Sequence, residues 1–217
     1  MTRVLVVDDQ ELVRAGFTLI LEKAGMDVVG EAGDGLEAVA VARETRPDVV
    51  LMDVRMPRLD GIEATRRLLA SVPSARVLAL TTFDLDEYVY AAVQAGASGF
   101  LLKDVSPEDL VHAVHVVARG EAMLAPTLTR RLLDRFASAP LPGTRPSGMQ
   151  SLTEREVDIA RLVARGMSNA DISLELFLSE STVKTYVSRL LTKLGLRDRV
   201  QLAVLAYESG LVQVGES

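Results

Sequence analysis

The sequence predicts an α/β domain followed by an all-α domain. Over residues 1–120, short β-branched runs alternate with longer stretches of helical period. Residues 137–151 then read ASAPLPGTRPSGMQS, rich in Pro, Gly and Ser and without periodicity, and beyond Leu152 only helical patterns remain. Alternation of this kind marks parallel βαβ units, because two parallel neighbours need a crossover long enough to hold a helix.

The elements follow in order. Residues 3–7 form the first strand, RVLVV, which stops at Asp8-Asp9. Residues 11–23 have helical period, and their apolar members Leu12, Phe17, Leu19, Ile20 and Leu21 spread over more than one face, which predicts a well-buried helix ended by Gly25. Strands at 28–32, 49–52, 77–80 and 99–102 alternate with helices at 36–45, 61–70, 87–95 and 107–119. Pro47-Asp48 precedes the third strand, Gly96 the fifth, and Ser106-Pro107 supplies an N-cap and a first-turn proline for the last helix. A further helix is expected over 126–136, either extending the domain or opening the connection. The chain is therefore divided into residues 1–120, a linker over 121–151 that is extended or flexible by composition, and residues 152–217.

With 217 residues, 48% hydrophobic and 25% charged, the composition is that of an ordinary globular protein. There is no cysteine, which excludes disulfides, thiol catalysis and cysteine-bound zinc. Val4 to Val7 is too short for a signal peptide's apolar region, and no apolar run approaches the roughly 20 residues of a membrane helix. A cytoplasmic protein that does not enter a membrane is expected. The net charge of −6 hides an uneven distribution: residues 1–120 carry 12 basic against 19 acidic residues, whereas residues 179–200 carry 5 basic against 2 acidic. A basic stripe thus lies in a domain whose overall charge is near neutral.

An open parallel sheet gathers its reactive groups at the carboxyl ends of its strands. Here Asp8 and Asp9 end the first strand, Asp53 the third, Thr81 the fourth and Lys103 the fifth, so five polar residues distant in sequence are expected at one rim. Three carboxylates so close can all ionise only with a cation among them, and Mg²⁺, which takes oxygen ligands, is the natural occupant. Lys103 adds an ammonium able to stabilise negative charge at the same rim.

The motifs V-L-V-V-D8-D9, L-M-D53-V-R-M-P57-x-x-D-G61, L-T81-T and G-F100-L-L-K103-D resemble the receiver domain of bacterial two-component response regulators. The resemblance implies a flavodoxin-like sheet of order 2-1-3-4-5, with Asp53 accepting phosphate from a histidine kinase. Asp8, Asp9, Asp53 and the backbone carbonyl of Arg55 would hold Mg²⁺. It also implies that Thr81, rather than its neighbour Thr82, offers a hydroxyl to the phosphoryl group, and that Phe100 is the aromatic switch residue. Phe100 reads equally well as a core aromatic. Asp104 follows Lys103 where many receivers have a proline after a cis bond, which leaves that bond's geometry open.

Residues 152–212 are similar to the LuxR-type DNA-binding domain through L-T-E-R-E-V, G166-M-S-N-A-D-I, L-S-E-S-T-V-K184 and L-T-K-L-G-L-R-D-R-V-Q. With the receiver, this resembles the NarL/FixJ class. A four-helix helix-turn-helix domain is expected, opened by a Thr153–Glu156 capping box. Its scaffold helix starts at Ser168-Asn169 and buries Ile172 and Leu176, the turn spans 177–179, and Ser181 caps a recognition helix running to about Leu194. Spacing turns Val183, Val187, Leu190, Leu191 and Leu194 inward and Lys184, Thr185, Ser188 and Thr192 toward bases or phosphates, with Arg189 and Lys193 touching the phosphate backbone. Tyr186 stands where the family commonly has His, and Asp171 where it commonly has Glu. The last helix, 199–209, offers two apolar faces, Val200, Ala203, Val204 and Tyr207 or Leu202, Leu205 and Ala206; the resemblance implies a homodimer seam there, and internal packing is the alternative.

Three functions fit these residues: a phosphorylation-controlled regulator of promoter DNA, a phosphatase or phosphotransferase with an aspartyl nucleophile, and a regulator that has ceased to be phosphorylated. Aspartyl phosphotransferases typically carry a second acid two residues after the nucleophile, a position that is Arg55 here, and the intact acid set speaks against the third. The first is expected, with no catalytic residue and at most slow self-dephosphorylation.

Overall fold

A computed structural model describes residues 1–82, 86–120 and 151–212, with only the backbone at Asp86 and Glu87. It divides into two compact units, within Met1–Ala125 and within Pro126–Ser217. The helix expected over 126–136 and the linker up to Gln150 lie outside the described residues.

The first unit alternates β1 (Arg3–Val7), α1 (Glu11–Lys23), β2 (Asp27–Ala32), α2 (Gly35–Thr45), β3 (Val49–Asp53), α3 (Gly61–Ser71), β4 (Arg76–Thr81), α4 (Asp86–Gln94), β5 (Gly99–Leu102) and α5 (Pro107–Ala118). The five strands form one sheet of order β2-β1-β3-β4-β5, all pairs parallel, as expected. The order reverses between β1 and β3, and the strands' carboxyl ends open a crevice there. Strand side chains alternate between two cores. Val4, Val6, Leu51, Leu78 and Leu80 meet Phe17 of α1 and Leu110 and Val114 of α5, while Leu5, Val7, Val50 and Met52 meet Ala38 of α2 and Ala64 and Leu68 of α3.

Element bounds differ from the sequence reading by a residue at several ends, and caps set two of the helix starts, that of α2 one residue earlier than expected and that of α3 at the expected Gly61. The Asp34 carboxylate accepts from the Leu36 and Glu37 amides at 2.8 and 3.0 Å and starts α2, and Asp60 accepts from Glu63 at 2.8 Å and starts α3. Each such cap stabilises its helix by about 1 kcal/mol. Helix α1 corrects the expectation of deep burial: Phe17 and Leu21 are buried, but Leu12 and Leu19 are 86% and 53% exposed. In a doubly wound sheet each helix turns one face to the strands, and apolar residues outside that face stay in water.

The second unit is helical, with α6 (Glu154–Ala164), α7 (Asn169–Glu175), α8 (Glu180–Leu194) and α9 (Arg199–Glu208). Both arms of the Thr153–Glu156 capping box are made, and Ser168 caps α7 as expected. Ile159, Val163, Ile172, Val183, Val187, Leu190 and Leu202 form the core. The cap of α8 is Ser179, not Ser181. The Ser179 hydroxyl accepts from the Thr182 amide at 3.1 Å, whereas Ser181 already lies inside the helix, its carbonyl accepting from the Thr185 hydroxyl at 2.9 Å. In α9 the buried set is Val200, Leu202, Ala206 and Tyr207, which mixes the two faces read from the sequence. Among the described residues no helix is long and apolar enough to cross a membrane.

Candidate functional site

The rim at the carboxyl ends of the strands brings together the acids that the sequence placed there. Asp8, just past β1, is fully buried, Asp53 closes β3 at 4% exposure, and Asp9 is exposed. A carboxylate oxygen from each lies within 4.8 Å of the other two. Lys103, just past β5, reaches into this group: its ammonium nitrogen is 2.6 Å from Asp8 Oδ2 and 2.9 Å from Asp53 Oδ2. The donor set is all oxygen, which fits Mg²⁺ and not an ion that seeks nitrogen or sulfur.

The backbone sets these positions. Val7 pairs with Met52 across β1 and β3, which levels Asp8 with Asp53, and Asp53 pairs with Leu80 on β4. The Gln10 amide donates to Asp8 Oδ1 at 3.0 Å, and the Arg55 amide donates to Asp53 Oδ1 at 3.3 Å. Gly61 lets α3 approach the end of β3. A β-carbon there would overlap the Asp53 carbonyl oxygen, and the Gly61 amide donates to Val54 at 3.0 Å.

The electrostatics are those of crowded charge. Burial pushes the Asp53 carboxyl above the usual carboxylate range, and the nearby Asp8 charge adds to it against the pull of Lys103. For Lys103, burial alone would lower the ammonium, yet the hydrogen bonds and charges of Asp8 and Asp53 together raise it above the ordinary lysine value. The lysine is therefore a fixed cation.

Thr81 closes β4 and is buried, its carbonyl accepting from the Lys103 amide at 2.8 Å, whereas Thr82 is exposed. Phe100 is fully buried in β5, and the Lys103–Asp104 peptide is trans. Arg55 sets its guanidinium 5.9 Å from the centre of the Tyr88 ring. The two line a cavity of about 360 Å³ with Val54, Met56, Asp60 and Ile62. The sequence reading missed Arg14, whose guanidinium holds the Asp8 carbonyl, and Asp34, whose buried carboxylate pairs with Arg58 of the β3–α3 loop. Asp34 stands at the cap position before an apolar helix, a signal that could have found it; Arg14 lies on an ordinary helix turn and carries none.

In the second unit, α8 turns Lys184, Thr185, Ser188, Arg189 and Thr192 outward, all exposed. The hydroxyls of Thr185 and Thr192 donate to the carbonyls of Ser181 and Ser188, which leaves their oxygens available as acceptors. Lys193 departs from the expected phosphate contact. Its ammonium lies 2.7 Å from the Ser151 carbonyl and 2.8 Å from Glu156 Oε2, so the period that turned it outward also placed it against the start of α6. That bond, with the Thr153 contacts, holds Glu156 below the usual glutamate range.

Comparison with known proteins agrees with both units. Residues 4–115 match the response regulator receiver domain and residues 150–206 the bacterial regulatory proteins of the luxR family. The chain is 43% identical over 212 residues to the uncharacterized transcriptional regulatory protein YxjL of Bacillus subtilis (strain 168), covering 97% of each. It is 39% identical to the transcriptional regulatory protein LiaR of the same organism, covering 98% of this chain and all of that one. Among solved structures, the response regulator ChrA of a heme-sensing two-component system matches at 37% identity and a TM-score of 0.52, over 97% of this chain and 98% of that chain. A LuxR-family response regulator from Aurantimonas sp. SI85-9A1 matches at 36% identity and 0.58, over 62% of this chain and 97% of that chain. The chain belongs to the two-component response regulators that join a receiver domain to a LuxR-type DNA-binding domain and regulate transcription.

Proposed function

We propose that Asp53 accepts a phosphoryl group from a histidine kinase and that this modification controls dimerisation and promoter binding. The observation that carries the reading is the meeting of Asp8, Asp9 and Asp53 with Lys103 at one rim. An Asp53 oxygen forms a bond to phosphorus as the bond to the kinase imidazole breaks, and Lys103 faces the negative charge that the phosphoryl oxygens bring. Receiver domains bind Mg²⁺ at such an acidic pocket, and here Asp8, Asp9, Asp53 and the Arg55 carbonyl are the residues to hold it. When bound, the ion neutralises phosphoryl charge.

Thr81 offers a hydroxyl to a phosphoryl oxygen, and Phe100 is the ring that follows it, changing the face built by α4, β5 and α5. The receiver is assigned to residues 1–120, the linker to 121–151 and the DNA-binding domain to 152–217. In the latter, Lys184, Thr185, Ser188 and Thr192 meet bases or phosphates and Arg189 the phosphate backbone. Two copies, joined through α9, place two recognition helices on an inverted repeat of double-stranded DNA. The half-buried Ala203, Val204 and Leu205 supply apolar surface for that contact. Activity in the cytoplasm follows from these partners.

The test compares wild type with Asp53→Ala, each given acetyl phosphate and Mg²⁺, on DNA that the wild-type protein selects from a random pool. Wild type is expected to gain affinity and to shift to a dimer on size exclusion, and the variant to do neither. Identical DNA binding by the two proteins refutes the switch.

A further inference from the structure

The turn that carries Asp8 and Asp9 is held from outside the acid site. Arg14, in the first turns of α1, has a side chain only 18% exposed. Its Nη1 donates to the Asp8 backbone carbonyl at 2.7 Å, and its Nε lies 3.4 Å from Glu31 Oε2 on β2. Oε1 of Glu31 accepts from the Thr18 hydroxyl at 2.8 Å, so the acid that anchors Arg14 is itself anchored on α1. One planar guanidinium thus ties the β1–α1 turn, α1 and the edge strand together, a task that needs several donors in fixed directions.

The carbonyl that Arg14 holds belongs to the peptide joining Asp8 to Asp9. The Asp8 carboxylate is fixed independently by Lys103 and the Gln10 amide. The Asp9 carboxylate is exposed, and no hydrogen bond or ion pair to a described residue fixes it. Its place beside Asp8 and Asp53 therefore depends on the peptide plane before it, and Arg14 sets that plane.

We infer that Arg14 is a positioning residue for Mg²⁺: through the Asp8 carbonyl it holds Asp9 where the three carboxylates converge. This rests on the reading of the acid site given above. Arg14 meets the Asp8 backbone carbonyl and Glu31 rather than the three carboxylates of the site, so its removal weakens the metal site and leaves the reacting groups in place.

The test measures Mg²⁺ binding to the full chain by titration calorimetry, and the rate of phosphorylation by acetyl phosphate across a range of Mg²⁺ concentrations. Arg14→Gln is expected to weaken Mg²⁺ binding about tenfold, as loss of an outer partner of a metal ligand typically does. The half-saturating Mg²⁺ concentration rises by the same factor, and saturating Mg²⁺ recovers most of the rate. Glu31→Gln, which keeps the bond to the Asp8 carbonyl, shifts binding less. Unchanged Mg²⁺ affinity in Arg14→Gln, or a rate lost at saturating Mg²⁺ with affinity intact, overturns the assignment of Arg14 alone. Wild-type protein that takes up no Mg²⁺ overturns the acid-site reading as well. Should Arg14→Gln fail to fold, Arg14→Lys decides: it keeps the charge without the fork, so an affinity below wild type supports the role and an equal one refutes it.

Discussion

The ammonium nitrogen of Lys103 lies 2.6 Å from Oδ2 of Asp8, a side chain wholly removed from water. Asp53 shares the same ammonium at 2.9 Å, so two buried acids lean on one cation. Lys103→Ala strands both, and removing one partner of a buried ion pair costs about 3 kcal/mol. Urea unfolding of the full chain at neutral pH without divalent ions should show that loss. Millimolar Mg²⁺ should recover part of it, because a divalent cation replaces the missing charge. A loss no larger than that of an exposed pair contradicts the geometry.

Gly61→Ala tests the backbone beside Asp53. On an exposed helix, alanine in place of glycine stabilises by about 1 kcal/mol. At Gly61 the added carbon overlaps the Asp53 carbonyl oxygen, part of a strand that cannot give way without moving the site. The expected sign is therefore reversed, with a destabilisation of about 2 kcal/mol or more and a parallel fall in phosphorylation. Calorimetric unfolding measures the first and a phosphate-affinity gel the second.

The convergence of Asp8, Asp53 and Lys103 was legible because it follows from alternation: polar residues at the carboxyl ends of parallel strands in one sheet lie along one rim. What was not legible depends on contacts with no period. Lys193 reads as outward by helical spacing, yet a residue on α6 captures it. Ser179, Ser181 and Thr182 are all hydroxyl residues near one helix start, and only the backbone conformation of Ser179 selects it as the cap. Leu12 and Leu19 read as buried because apolar character alone does not fix position, while α1 needs only Phe17, Leu21 and their half-buried neighbours to cover the sheet.

The DNA-binding unit should carry a pH dependence through Glu156. Its carboxyl is held below the ordinary glutamate range, chiefly by the hydrogen bond to Lys193 and then by the Thr153 amide. A carboxylate lowered in the folded state adds stability above its unfolded pKa, and this is lost as pH falls through the folded value. The unfolding midpoint of this unit should therefore drop as pH falls below the ordinary glutamate value, and Glu156→Gln should be less stable at neutral pH and flatter over that window. Calorimetry at a series of pH values checks it, and equal slopes for the two proteins would show that the Glu156–Lys193 pair does not form.

Arg189 and Lys193 lie four positions apart on α8, and both are cations, yet their surroundings differ. Arg189 is exposed on the outward face, whereas Lys193 is bonded to Ser151 and Glu156. A phosphate contact releases condensed counterions, so losing one lowers the slope of log affinity against log salt by about 0.9. Arg189→Ala should weaken binding to all sequences and reduce that slope by about this amount, with unfolding unchanged. Lys193→Ala should leave the slope near that of wild type and lower the unfolding midpoint of the DNA-binding unit, because its charge is spent inside the domain. Binding isotherms at several salt concentrations, paired with calorimetry on the same samples, separate the two. If Lys193→Ala flattened the slope as much as Arg189→Ala, its ammonium would be leaving Glu156 for phosphate on DNA, and the division of labour along α8 would have to be redrawn.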